Sequence, residues 1–181
     1  MNFSFSGKRI AGILTVLPAN ERSFMDDMKN FDVPEEKSLK LKKVMGYDRH
    51  RIVTGEDCAS DLAVHGFRHL FDKGLVKPDE LDALVVITQS PDHFIPPTSN
   101  VIQGRLNLPH DVLCMDIVQG CAGFVVGLIQ SFMMLEQASI KKVALVNADV
   151  LSRKVSPRDK NSFPLIGDAA CITIVEKSGD R

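Results

Sequence analysis

The sequence predicts an α/β domain in which a layered, mixed and mostly parallel sheet carries helices on both faces. Short apolar runs alternate with longer segments of helical periodicity along the 181-residue chain, which is the pattern of βαβ units. Several runs are apolar at every position, as in strands that are covered on both faces. Hydrophobic residues make up 44% of the chain and charged residues 25%, a composition that supports one sizeable core.

The amino-terminal part of the chain is predicted to contain one strand and three helices. Residues 8–18, KRIAGILTVLP, form an apolar run that ends at a proline and predict the first strand. The charged stretches 22–30 and 35–44 predict two helices, and Gly46 suits the C-terminal cap of the second. Residues 56–73 predict a third helix, because their apolar side chains recur at helical spacing.

The rest of the chain alternates between strands and helices. In chain order, strands are predicted at 81–88, 112–118, 141–149 and 168–177, and helices at 99–106 and 122–137. The loop QSPDHFIPP, which follows the first of these strands, contains three prolines that exclude regular structure. The second of these helices is apolar nearly all round, which is typical of a helix at the centre of a domain.

Composition excludes several classes of function. Lys and Arg number 22 against 23 Asp and Glu, so neither nucleic acid nor an anionic membrane is an expected partner. No apolar run approaches the roughly 18 residues that span a bilayer, and no cleavage pattern of a signal peptide follows the first strand. We therefore expect a cytoplasmic protein.

The cysteines and histidines do not form a metal-binding pattern. The four cysteines are widely spaced without a CxxC motif, so free thiols in a reducing compartment are expected. His65 and His69 stand four residues apart on a predicted helix, as metal ligands do, but no HExxH glutamate or third nearby ligand accompanies them. Neither a metal nor a bound cofactor is predicted.

Cys121 lies in the segment DIVQGCAGFVVGL, where a predicted strand gives way to a predicted helix. Reactive groups of open α/β sheets collect at the carboxyl ends of strands, and a helix N-terminus favours the nucleophilic thiolate over the thiol. The small neighbours Gly120, Ala122 and Gly123 permit a tight turn and let a substrate carbonyl approach backbone N–H groups. These features predict a nucleophile, and a packing cysteine is the alternative.

The same segment resembles the active-site motif of the β-ketoacyl-acyl-carrier-protein synthase III family, D-(x)3-A-C-A-G-F-(x)2-G-L. The resemblance continues in order through ILTVLP, TGEDCASDLA, LVVITQSPDHFIPP, NADVLSRKVSPRDKNS and IGDAACITIV. It implies a thiolase-like fold and a ping-pong acyl transfer. Cys121 would take an acyl group from acyl-coenzyme A or acyl-carrier protein, and malonyl-acyl carrier protein would then decarboxylate and attack the thioester.

The resemblance also implies substrate-binding residues and a homodimer. Phe94 and Ile95 lie in the loop that closes the acyl pocket of the partner subunit in the family, and ordinary dimer packing is the alternative for both. Lys160 matches a basic position of the family near the entrance for pantetheine.

One departure from the family concerns the acyl donor. The tryptophan and arginine that hold the adenine of coenzyme A in the family correspond here to Lys40 and Asp48, and the chain has no tryptophan. Arg49, His50 and Arg51 remain candidate contacts for a phosphate. The acyl donor therefore stays open between coenzyme A and a carrier protein.

The second departure concerns length. Residues 1–181 resemble only the first of the two similar halves of a thiolase-like enzyme, so we expect an amino-terminal half without its carboxyl-terminal half. The second half supplies a histidine and an asparagine in the family, and no histidine of this chain is assigned that role. The alternative to an incomplete acyltransferase is a non-catalytic half-domain that binds a carrier protein or a partner synthase. A half-domain should expose an apolar patch larger than the roughly 300–600 Å² of ordinary monomers.

Overall fold

The computed structural model describes residues 2–31 and 33–178. The strands are β1 (Lys8–Val16), β2 (Glu21–Ser23), β3 (Arg49–Arg51), β4 (Ala83–Ile87), β5 (Leu113–Ile117), β6 (Lys142–Asp149) and β7 (Ala169–Lys177). The α-helices are α1 (Phe24–Met28), α2 (Glu35–Met45), α3 (Ala59–Asp72), α4 (Thr98–Leu106) and α5 (Gly123–Met134). Among the described residues, none of the helices combines the length and apolar character needed to cross a bilayer.

A five-stranded mixed sheet in the order β1-β7-β6-β4-β5 forms the centre of the molecule. β4 pairs in parallel with β5 on one side and with β6 on the other. β7 runs antiparallel to β6 and also to β1. The predicted α/β class with a mixed sheet is confirmed. Because β6, β4 and β5 run in the same direction, the loops that follow these three strands leave the sheet at one edge.

The two faces of the sheet are covered by different helices. Leu84 and Val86 of β4 face a core that they share with α3 and α4. Val85 and Ile87 alternate with them and face the opposite core, which α5 covers. This alternation is the period of two that a strand imposes on its side chains. Since both faces are covered, β4 is apolar at every position, as its sequence predicts.

The helix predicted at residues 22–30 is wrong in its first part. Residues Glu21–Ser23 instead form a strand that pairs with β3, and only Phe24–Met28 is helical. The pairing partner lies far along the chain, so no local pattern announces it. Phe24 explains why the helix follows at once, because its ring is fully buried in a small core with Met28 and Phe163.

The helix predicted at residues 56–73 begins later than its sequence indicates. Its first helical residue is Ala59, because Cys58 serves as the N-cap. The Asp61 carboxylate accepts the backbone N–H of Cys58 at 2.7 Å, which completes a capping box. The side chain of Cys58 therefore lies at a helix terminus rather than inside the helical pattern.

β5 and α5 are less buried than their apolar sequences predict. β5 is the last strand of the sheet, and Leu113 at its start is 43% exposed. One side of α5 contacts the sheet, whereas Phe124, Val125 and Val126 on the other side are exposed. The chain thus presents exposed apolar side chains along α5.

Candidate active site

The predicted site residues lie on three loops at one edge of the sheet. Phe94 and Ile95 follow β4, Cys121 follows β5, and Lys160 follows β6. Because these strands are parallel neighbours, their loops emerge side by side at the carboxyl edge. The fold therefore gathers at one edge residues that are separated by up to 66 positions in the sequence.

Cys121 lies in the turn between the end of β5 and the start of α5, where the sequence predicts it. The turn closes with a hydrogen bond from the backbone N–H of Gly123 to the carbonyl oxygen of Gly120, at 2.7 Å. The helix continues from there, with Val126 N–H donating to the Ala122 carbonyl at 3.1 Å. Cys121 itself is an exposed residue and a free cysteine.

Two glycines let α5 approach the sheet closely enough to set this position. A Cβ atom on Gly123 would stand 2.5 Å from Cγ2 of Ile87, and one on Gly127 would stand 2.6 Å from Cδ1 of Leu145. These distances are shorter than carbon atoms tolerate without displacement. The helix that begins beside Cys121 is therefore seated on β4 and β6 by its glycine face.

Asp149, at the end of β6, organises the backbone that follows β4. Its Oδ1 accepts four hydrogen bonds, from the backbone N–H groups of Gln89 (2.7 Å) and Ser90 (3.0 Å) and from the hydroxyls of Thr88 (3.1 Å) and Ser90 (2.9 Å). Gln89 in turn lies beside the Cys121 turn, because a Cβ atom on Gly120 would stand 3.4 Å from its Oε1. No role for Asp149 is predicted from the sequence; its place at the end of a buried strand is the available signal.

Asp116, in β5, performs a similar role for the start of α4. Its Oδ2 accepts the backbone N–H of Thr98 at 2.7 Å, and its Oδ1 accepts that of Ser99 at 2.8 Å. Asp116 is the aspartate with which the cysteine motif begins. Its hydrogen-bonding partners were not predicted, since they lie 17 and 18 positions earlier in the chain.

The predicted substrate-binding residues project away from the protein. The side chain of Phe94 is 99% exposed and that of Ile95 is 87% exposed, so neither packs against Cys121 within this chain. Lys160 is also exposed. The structure thus brings the three loops to one edge without bringing these side chains into contact with the cysteine. Their assignment to substrate binding stays a prediction.

The other cysteines occupy different environments. Cys114 is partly buried in β5, and this burial, together with the nearby Asp116 carboxylate, raises the pKa of its thiol to about 11. Cys171 is partly buried in β7, where the Thr15 hydroxyl lies 3.9 Å from its sulfur. Cys58 is partly buried and lies 3.3 Å from a guanidinium nitrogen of Arg153. Cys121 is exposed, unlike these three.

The candidate phosphate contacts are occupied by other protein groups. Both ring nitrogens of His50 lie 2.5 Å from oxygen atoms, one of the Asp27 carboxylate and one of the Ile166 carbonyl. Arg49 is paired with Glu21, as is Arg51. These three basic side chains hold β2, β3 and α1 together, which disfavours the phosphate role. In residues 2–31 and 33–178, no group of three or more His, Cys, Asp and Glu side chains is arranged to hold a metal ion.

Comparisons of sequence identify relatives of this chain. The family model of 3-oxoacyl-[acyl-carrier-protein (ACP)] synthase III matches residues 115–181. A putative 3-oxoacyl-[acyl-carrier-protein] synthase 3 of Campylobacter jejuni subsp. jejuni serotype O:2 is 32% identical over 179 residues, which cover 98% of this chain and 50% of that relative. The chain spans about half the length of the curated relatives it matches.

Comparisons of structure agree with those of sequence. A crystal structure of 3-oxoacyl-(acyl-carrier protein) synthase from Burkholderia xenovorans LB400 superposes with a TM-score of 0.90 at 28% identity, over 97% of this chain and 50% of that one. The 3-oxoacyl-[acyl-carrier-protein] synthase III of Aquifex aeolicus VF5 gives a TM-score of 0.85 at 26% identity, over 96% of this chain and 55% of that one.

Proposed function

Because the chain belongs to the 3-oxoacyl-[acyl-carrier-protein] synthase III family, of whose members it spans about half the length, we propose that Cys121 is the acyl-accepting nucleophile of a condensing enzyme. The observation that carries this proposal is the exposed free cysteine in the turn between the carboxyl end of β5 and the first residue of α5. Thiolates are good nucleophiles and good leaving groups, as an acyl-thioester intermediate requires.

The proposed reaction has two steps. In the first, the Cys121 thiolate attacks the carbonyl carbon of an acyl thioester; a new carbon–sulfur bond forms, and the donor thiol leaves as coenzyme A or carrier protein and takes up a proton. In the second, malonyl-acyl carrier protein loses carbon dioxide, its α-carbon attacks the acyl group, and the sulfur of Cys121 is released. This chemistry would serve cytoplasmic fatty acid or polyketide-like biosynthesis.

Features of the Cys121 turn support the first step. The small residues Gly120, Ala122 and Gly123 leave the backbone of the turn open to a substrate carbonyl, and the Cys121 N–H is proposed to stabilise its oxyanion. α5 begins two residues later, so the turn lies at the N-terminal end of that helix.

The same proposal gives roles to the neighbouring loops. Phe94 and Ile95 are apolar and almost fully exposed, which suits side chains that enter the acyl pocket of a second subunit in a homodimer. Lys160 belongs to a loop that also carries Arg153, Lys154 and Arg158, whose positive charges suit the phosphate of pantetheine or an acidic carrier protein.

Mass spectrometry of the acylated protein tests the first step without requiring the second. The chain is incubated separately with acyl-coenzyme A and with acyl-carrier protein, digested, and searched for an acyl thioester on each cysteine. We expect an adduct on Cys121 that is absent from Cys121→Ala and retained in the matched control Cys171→Ala. The donor that gives the faster adduct identifies the physiological class of donor.

Absence of an adduct would favour the other function proposed for the chain. The exposed apolar side of α5 and the basic loop after β6 suit a non-catalytic module that binds a carrier protein or a partner synthase subunit. Titration with carrier protein separates the two, since the binding module would retain its affinity for the carrier in Cys121→Ala while neither protein forms a thioester.

A further inference from the structure

The exposed loop that carries Phe94 and Ile95 is anchored at both ends by carboxylates from neighbouring strands. We propose that one of them, Asp116, is a positioning residue that couples this loop to the turn presenting Cys121. The inference rests on the proposed function, because it concerns how the same site is held together. Asp116 does not touch the reacting sulfur in this proposal; it acts through the backbone on either side.

Asp116 supplies the cap that α4 lacks in its own sequence. The first N–H groups of a helix have no intrahelical partner, and a polar N-cap side chain usually accepts one of them. The N-cap of α4 is Pro97, which has no side-chain acceptor. Instead, the two carboxylate oxygens of Asp116 accept the backbone N–H groups of Thr98 and Ser99, and both of these residues are completely buried. The start of α4 is thereby tied to β5 rather than to its own loop.

The opposite end of the loop is tied to β6. Oδ1 of Asp149 accepts the backbone N–H groups of Gln89 and Ser90, and the Ser90 hydroxyl accepts the N–H of Val150 at 2.8 Å. Between these two anchors lie Pro91, Pro96 and Pro97, whose rings restrict the backbone. The loop is thus a restrained projection, which explains how two large apolar side chains stay extended into solvent.

Asp116 lies in β5, which is also the strand that leads to the Cys121 turn. The next residue, Ile117, is paired with Ile87 at the end of β4, and the Cys121 turn follows directly. Gln89, on the other anchor, lies against Gly120 of that turn. A displacement at Thr98 and Ser99 therefore reaches the cysteine from two sides, through β5 and through the backbone after β4.

An amide cannot replace the Asp116 carboxylate, because both of its oxygens accept backbone N–H groups. In Asp116→Asn, one acceptor becomes an NH₂ donor that faces another donor. Asp111→Asn makes the same change of charge at an exposed residue in the turn before the same strand, so it is the matched control. Thr98→Pro is a second variant that removes the backbone donor and leaves the carboxylate unchanged, although it also replaces the buried threonine side chain. Proline suits the first helical position, and Pro97 has the extended backbone that precedes a proline.

The experiment measures Cys121 acylation and, in parallel, hydrogen exchange at the amides of residues 89–99. We expect Asp116→Asn and Thr98→Pro to slow acylation of Cys121 about tenfold, as small misplacements of reacting groups do. Their iodoacetamide reaction at Cys171, on a distant strand, should match that of the unmodified chain. In Asp116→Asn, the amides of Thr98 and Ser99 should exchange faster. Asp111→Asn should alter none of these quantities.

Two results would count against the coupling in different ways. Faster exchange at Thr98 and Ser99 with an unchanged rate at Cys121 would reduce Asp116 to a local helix cap. If the unmodified chain takes no acyl group, the proposed function fails, and the rate of iodoacetamide reaction at Cys121 relative to Cys171 then decides the coupling alone. If the ratio of the iodoacetamide rates at Cys121 and Cys171 is equal in Asp116→Asn and in Asp111→Asn, the proposed coupling is wrong.

Discussion

Gly123→Ala tests whether close packing of α5 on β4 holds the Cys121 turn in place. The added Cβ would stand 2.5 Å from Cγ2 of Ile87. Relief requires a movement of about 1 Å, because carbon atoms attract each other best at roughly 3.5–4.0 Å. Ile87 is 3% exposed in a central strand, and its β-branched side chain has few other rotamers. The helix rather than the strand should therefore move.

The expected loss is set by overpacking of a core, which costs about 1–3 kcal/mol. Gly104→Ala in α4 is the matched control, because a Cβ there has no atom within 4 Å. The Gly104→Ala substitution should stabilise the protein by about 0.5–1 kcal/mol, because alanine loses less backbone entropy than glycine on folding. The two alanine variants should thus change the free energy of unfolding in opposite directions.

Urea denaturation measures both free energies, with equal slopes required for a valid comparison. For a domain of this size each kcal/mol should move the melting temperature by about 2–4 °C. Alkylation of Cys121 reports the local consequence, and its rate should change in Gly123→Ala and remain constant in Gly104→Ala. Equal stability of the two variants would refute the reasoning, since it would mean that α5 is not seated by Gly123.

Two further predictions concern thiol ionisation and the exposed side of α5. Burial and the Asp116 carboxylate raise the pKa of Cys114 to about 11, so its reaction with iodoacetamide should stay slow at pH 8 and accelerate as the pH nears 11. Since an unfolded thiol ionises near about pH 8.5, the contribution of Cys114 to stability is constant below that pH and should fall as the pH rises towards 11; a flat profile of urea stability across this range would contradict the assignment. Val125→Lys should reduce self-association measured by sedimentation velocity, because Val125 is 59% exposed among other apolar side chains, whereas Val44→Lys on α2 should have no effect.

Several elements could be predicted because their signals are local. β4 is apolar at every position since both of its faces are covered, and α2 ends at Gly46, which adopts the left-handed conformation with a φ of 75°. The position of Cys121 between a strand and a helix is readable for the same reason, since apolar periodicity changes on either side of it. The family resemblance around this segment then predicts a nucleophilic role for the cysteine, and that role stays a prediction.

Other features could not be predicted because they depend on partners distant in sequence. The pairing of β2 with β3 converts part of an expected helix into strand, and it joins residues that are 26 to 30 positions apart. The order of strands makes β5 an edge, so the apolar sequence of β5 does not report its exposure. A hydrophobic pattern indicates that one face of an element is buried, but it does not identify the element that packs against that face.

The sequence by itself determined the α/β class, most of the elements and the cysteine at the turn, because each follows from the spacing of apolar and small residues along a few helical turns or strand repeats. Only the tertiary structure decided which carboxylates hold the loops around that cysteine. Nothing in the linear sequence distinguishes Asp116 and Asp149 from aspartates on the surface. Their hydrogen-bonding partners are fixed by the parallel pairing of β4 with β5 and β6. Hydrogen bonds depend on distances between atoms, and those distances exist only after the sheet has formed.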